Sequence, residues 1–163
     1  MKYFRLTCVA AAAVLLVACG GSDDPDRGSL IDPPAVMTTL TAAQIDAGTS
    51  SSGLQAITGK AKCDVKVVAL NYATVGAKAG ENTNASGVML VPAGSCSTAA
   101  PLIAYAKGTD VQKPRTLANP QDNETFLLAA MYAAQGYAVV ATDYLGFAKS
   151  GYSYHPYLHA DSE

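Results

Sequence analysis

Two histidines near the end of the chain, His155 and His159, stand four residues apart, with Asp161 and Glu163 just beyond. Imidazoles and carboxylates at that spacing make a metal site when a helix puts positions i and i+4 on one face. Pro156 falls between the histidines and breaks such a helix. The expectation is therefore packing and hydrogen bonding, with no metal. Neither G-x-G-x-x-G nor G-x-x-x-x-G-K-[ST] occurs, so no nucleotide and no cofactor is implied. The formal charge is only -2 and no basic cluster could follow a phosphate backbone, which sets nucleic acid aside as a partner.

The four cysteines need elements to position them. Lys2 and Arg5 precede an apolar run from Leu6 to Ala18, the pattern of a secretory signal, and the run is shorter than the about 20 residues of a bilayer span. "LVAC", Leu16 to Cys19, resembles a bacterial lipobox, which implies cleavage before Cys19, a lipid on its thiol and membrane anchoring in an extracytoplasmic space. An ordinary secretory signal with an incidental cysteine is the other reading. The expected organisation is a signal peptide over 1–18, a flexible tether rich in Gly, Ser, Asp and Pro over 19–38, and a domain over 39–163. Without Lys2 and Arg5 the mature chain has nine basic against 13 acidic residues, a charge near -4.

Cys8 leaves with the signal and Cys19 is assigned to lipid, so Cys63 and Cys96 remain as a pair. "CDVKVVALNYATV" and "ASGVMLVPAGSC" are β-rich runs around a Gly- and Asn-rich turn, "GAKAGENTN". Positions 63 and 96 centre on 79.5, inside that turn, so the two cysteines are expected to face each other where the hairpin opens. Closing the loop stabilises by roughly 3 to 4 kcal/mol on the chain-entropy model; two unpaired buried thiols are the alternative. Upstream, Thr41 and Gln44 have capping-box spacing for a helix over about Ala42 to Ala47, ended by "GTSSSG". Downstream, "PLIAYA" reads as a strand and the stretch from Lys107 to Asn123 as a long loop. Glu124 to Gly136 reads as a helix capped by Asp122 or Asn123, with an apolar face of Phe126, Leu127, Met131 and Ala130 or Ala134. "YAVVATD" is then a buried strand parallel to the first.

In this order, "ASGVMLVP", "YAKGT", "AAQGYAVVATDYLGFAKS" and "HPYLHADSE" resemble the N-terminal half of a bacterial α/β-hydrolase of the secreted lipase and esterase group, over about Leu40 to Glu163. The resemblance implies an α/β fold whose sheet is incomplete: a β-hairpin, then β-α-β with parallel strands, truncated before the nucleophile elbow. It places the strand ending at Asp143 between the hairpin and "PLIAYA", which leaves "PLIAYA" as a bare apolar edge. It further implies that the loop after "PLIAYA" supplies an oxyanion-hole amide, from Gly108 or Thr109, with Lys107 where many relatives have His. The G-x-S-x-G of the family does not occur: Ser51, Ser95 and Ser150 all lack the required glycines. The acid and base of the family follow the serine in chain order, so His155 and His159 fit the rim of an active site rather than its triad. Past "HPYLHADSE" a helix with Asp161 and Glu163 in its first turn is expected, then a strand and the serine elbow.

Two functions stay open. One is the N-terminal part of a serine carboxylic-ester hydrolase, inactive alone, with an ester or lipid as the substrate of the full-length parent. The other is a non-enzymatic cell-envelope lipoprotein acting as a binding module.

Overall fold

The computed structural model describes residues 26–78, 80–96 and 99–157. The signal segment, Cys19, His159, Asp161 and Glu163 lie outside the described residues.

Five strands form one sheet in the order β1-β2-β3-β5-β4, from β1 (Ala35–Leu40), β2 (Asp64–Val75), β3 (Asn82–Ala93), β4 (Leu102–Tyr105) and β5 (Ala138–Thr142). β1, β2 and β3 are antiparallel neighbours, β3 and β5 are antiparallel, and β4 with β5 is parallel. This is the expected hairpin followed by β-α-β. Strand alternation puts Val65 and Val67, Val88 and Leu90, and Val139 and Ala141 on one face, all buried under α1 (Ala42–Ser52) and α3 (Asn123–Met131). A short α2 (Gln55–Thr58) joins α1 to β2. On the other face Leu70, Met89 and Val140 are half-buried, and Leu102 at the β4 edge is 64% exposed.

The tether expectation ran too far. Ala35–Leu40 is β1, and the chain already pairs with β2 upstream, through a bridge between Leu30 and Tyr72 and the amide of Ile31 on Asn71 O (2.9 Å). Helix α1 also outlasts its predicted end. The capping box forms as expected, with Gln44 N–H donating to Thr41 Oγ1 at 3.2 Å and Thr41 N–H to Gln44 Oε1 at 2.8 Å. The "GTSSSG" stretch then continues the helix, and inside it the Thr49 and Ser52 hydroxyls are satisfied by the carbonyls of Ile45 and Gly48 at 2.9 and 2.8 Å. Gly53, at φ +77°, ends it.

Cys63 and Cys96 are bridged, with Cα atoms 5.5 Å apart. Their route differs from the expectation. Asp64 pairs with Ala93 and Val75 with Asn82, a register centred on 78.5, so Cys96 lies beyond the ladder. A 3₁₀ turn over Gly94–Cys96 carries it back, with Ser95 Oγ donating to Lys62 O at 2.7 Å.

The crossover helix is shorter than expected and turned differently. It is interrupted at Tyr132 (φ -121°), followed by a 3₁₀ turn over Ala133–Gln135 and Gly136 at φ +104°. That break lets Ala134 O accept the amides of Lys62 and Cys63 at 2.8 and 3.1 Å, docking the helix end on the start of β2. Buried on α3 are Thr125, Leu128, Ala129 and Ala130, whereas Phe126, Leu127 and Met131 are half-buried. Small residues face the sheet, and Phe126 turns to α1, where a Cβ on Gly48 would come within 2.6 Å of its ring.

Candidate functional site

Because β4 and β5 are parallel, the loops that follow them leave the same end of the sheet. The first, from Ala106 to Asp122, carries Gly108 and Thr109, both exposed. The Gly108 amide donates to Glu124 Oε1 at 3.4 Å, a long bond, and a Cβ there would meet nothing within 4 Å. Crowding therefore does not require glycine at 108.

Lys107, beside them, points inward. Its side chain is 1% exposed, its ammonium reaches Asp110 Oδ2 at 3.3 Å, and it sits over the rings of Phe147 (4.5 Å) and Tyr144 (5.6 Å). Its carbonyl accepts the Tyr144 hydroxyl at 2.7 Å. The residue that departs from His-Gly thus ties the two loops together.

Arg115 holds the same loop from the other side. Its guanidinium donates to Asp110 at 3.0 Å, to both oxygens of Asp122 at 2.8 and 3.1 Å, and to Glu124 at 2.7 Å. Asp122 also caps α3 by accepting the amides of Glu124 and Thr125. Arg115 keeps the Asp122 carboxyl below the usual range. Burial pushes Asp110 up, but the Gln112 amide, Arg115, Lys107 and the Val111 amide outweigh it and hold Asp110 well below that range. Burial likewise opposes, and the Tyr105 hydroxyl with Arg115 overcomes, so that Glu124 is lowered too. The hydroxyl of Tyr105, donating to Glu124 at 2.7 Å and then burial, is pushed up to about 12.

At the end of β5, Asp143 is fully buried and accepts from Ser86 Oγ (2.7 Å), Thr116 Oγ1 (2.8 Å) and the Leu117 amide (2.7 Å). It joins β3, the first loop and β5 at one carboxylate. Sequence reasoning treated it only as a strand end. The available signal was a charge directly following a fully apolar strand.

Beyond Asp143 the chain takes a strained path, with Tyr144 at φ +71°. Gly146, at φ +83°, lies where a Cβ would run into the carbonyl of Tyr154, so only glycine lets the loop fold back. His155 Nδ1 is 2.8 Å from Leu145 O, and the ring packs edge-on to Tyr157 and against Phe147. Ser51, Ser95 and Ser150 each donate to a backbone carbonyl, of Gly48, Lys62 and Asn84. None of these contacts joins a serine to His155. Among the described residues no group of three His, Cys, Asp or Glu side chains is placed to hold a metal ion.

No family model and no curated protein matches the chain. Solved structures do. The rice cell wall degrading esterase LipA from Xanthomonas oryzae is 38% identical, with a TM-score of 0.73, over 85% of this chain and 34% of that one. A ligand-bound form of LipA gives the same identity with a TM-score of 0.72. A Legionella pneumophila protein described as a candidate hydrolase shares the fold at 21% identity, with a TM-score of 0.69, over 82% of this chain and 35% of that one. The chain thus spans about one third of the length of these structures, and its mixed five-stranded α/β sheet is the partial hydrolase-type fold expected from the sequence.

Proposed function

We propose that this chain is the N-terminal part of a serine carboxylic-ester hydrolase of the lipase and esterase kind, and that it contributes the oxyanion loop. The observation that carries the reading is the 38% identity to an esterase across 85% of the chain. When a serine attacks an ester carbonyl, negative charge develops on the former carbonyl oxygen, and fixed amides stabilise it. The backbone amides of Gly108 and Thr109 take that role in this reading. The Gly108 amide is held by a long 3.4 Å contact to Glu124, so exchanging that partner for an oxyanion costs little. Arg115, Lys107 and Asp143 fix the loop and do no chemistry themselves.

The G-x-S-x-G elbow does not occur within the 163 residues, and the nucleophile, base and oxyanion donors of such enzymes act as a unit. Residues 1–163 alone are therefore assigned no esterase activity. Cys19 is assigned to lipid and the domain to an extracytoplasmic membrane face, a placement with which the Cys63–Cys96 bridge agrees.

The test assays purified 1–163 with short-chain p-nitrophenyl esters against a heat-denatured control, and translates the coding sequence beyond codon 163. No turnover is expected, together with a G-x-S-x-G after an apolar run within roughly 30 to 60 residues, one helix and one strand at usual lengths. Turnover abolished by serine-directed labelling would show a nucleophile among Ser51, Ser95, Ser150 and Ser153. A native stop with no hydrolase half in any adjoining frame would move the reading to a binding module.

A further inference from the structure

A groove of about 590 Å³ opens on the helix-bearing side of the sheet, between the start of β1, the middles of β2 and β3, and the segment 114–120. Gly108 and Thr109 do not line it. Its floor is small and apolar, with Ala35, Ala69 and Gly87 from three adjacent strands and Ala118 opposite, while Met37 forms an adaptable wall. The volume lies in the range of roughly 300 to 1,000 Å³ that takes a drug-sized organic molecule.

Its polar groups are unevenly committed. Ser86 and Thr116 line the groove, but both hydroxyls donate to Asp143, so neither is a free donor to a ligand there. Lys149 is the sole ionisable residue among those lining the groove, and it is exposed. Asp143 lies behind the two hydroxyls, yet it is fully buried and its charge is taken up by three donors. The accessible charge is therefore positive, beside an apolar trough.

We propose that this groove binds a small amphipathic carboxylate, its hydrocarbon body on the alanine floor and its carboxylate paired with Lys149. The apolar body supplies most of the affinity, because an exposed ion pair adds only a few-fold. The proposal does not depend on the ester-hydrolase reading, and its test involves no hydrolysis.

The 163-residue chain, labelled with ¹⁵N, is titrated with octanoate, octanol and octylammonium while amide shifts are followed. Octanoate should bind best and move the amides of Ala35, Ala69, Ala118 and Lys149, with octanol about three-fold weaker and octylammonium weaker still. Lys149→Gln should bring octanoate down to the level of octanol. Ala35→Trp, a bulky substitution at an exposed strand position that tolerates aromatics, should weaken all binding by about ten-fold or more while the remaining amide spectrum stays folded. Preference for octylammonium would show that the buried Asp143 dominates the field and would overturn the proposal. So would equal affinity for the three probes, shifts clustered elsewhere, or octanoate binding that survives Ala35→Trp.

Discussion

The β2–β3 hairpin and the pair of loops after β4 and β5 are held by opposite means. In the hairpin, twelve paired positions, apolar alternation and a covalent bridge act between two neighbouring strands. In the loops, order comes from charge: Arg115 on three carboxylates, Lys107 on Asp110 and two rings, and Asp143 on three donors. The hairpin follows from strand alternation, whereas the loops depend on particular side chains: Lys107 and Arg115 find their carboxylates within three to nine residues, and Asp143 takes its donors from Ser86 and Thr116, 57 and 27 residues away. The exposed residues Gly108 and Thr109 lie at the start of the first of these loops, so the region read as functional is the one positioned by polar contacts.

Breaking the loop side at its most buried point should have the largest effect. Asp143→Ala strands two hydroxyls and an amide, and at about 1–3 kcal/mol for each unsatisfied donor, part of it relieved by relaxation, the expected cost is about 4 kcal/mol. Urea unfolding followed by circular dichroism measures it. A cost below about 1 kcal/mol would mean that water replaces the carboxylate and that the loops are not pinned at this residue.

The matching lesion on the hairpin side is the double variant Cys63→Ser with Cys96→Ser. The bridge spans 33 residues, which gives about 3.7 kcal/mol on the chain-entropy model. Because that stabilisation acts mainly through the unfolded state, amide shifts of the loops should stay as in the wild type while the unfolding midpoint falls. Loop shifts that move with the bridge would erase the contrast between the two regions.

The difference also explains what could be read from the sequence. Strand alternation in "DVKVV" and "GVMLV" and the capping box at Thr41 were legible because each is written within a few residues, and the parallel β4–β5 pair because strand, helix, strand implies a crossover. The two-residue slip at Cys96 was not, since the 3₁₀ turn after Ala93 is invisible to a symmetry argument. β1 was hidden by the Pro- and Asp-rich stretch before it, and its exposed Val36 and Met37 give no clean alternation. At the site, the position of Gly108 and Thr109 was legible only by resemblance. The roles of Arg115, Lys107 and Asp143 were not, because a charged residue in a loop normally reads as solvated and nothing local marks these three as buried or paired.

Arg115→Gln tests the charge network with a signature the hairpin lacks. At neutral pH it leaves Asp110, Asp122 and Glu124 without their shared cation, at an expected cost of about 2 kcal/mol once the partial exposure of the guanidinium is discounted. The three carboxyls are held below their unfolded values, so their contribution is fully present above the usual carboxylate range and is lost as pH falls through the depressed folded values. Wild-type stability should therefore decline below about pH 5, and the gap to Arg115→Gln should narrow with it. A gap of constant size down to the acid transition would show that Arg115 acts by packing rather than charge.

Thr41→Ala should have the smallest effect and sharpen the comparison from the local side. Its hydroxyl accepts the Gln44 amide at 3.2 Å and takes part in a reciprocal cap, whose loss typically costs about 1 kcal/mol. Two features keep the loss small here. The cap is exposed, so water can take over the orphaned amide, and the first helical amide, of Ala42, is held independently by Asp64 Oδ1 at 2.8 Å. The carboxyls around Arg115 share no hydrogen bond with this cap, so the cost should be the same at pH 7 and at pH 4. Thermal unfolding at the two pH values makes the comparison. A pH-dependent cost would mean that α1, through its contact with α3 at Gly48 and Phe126, transmits strain into the Asp122 cap, and that the two regions are one cooperative unit.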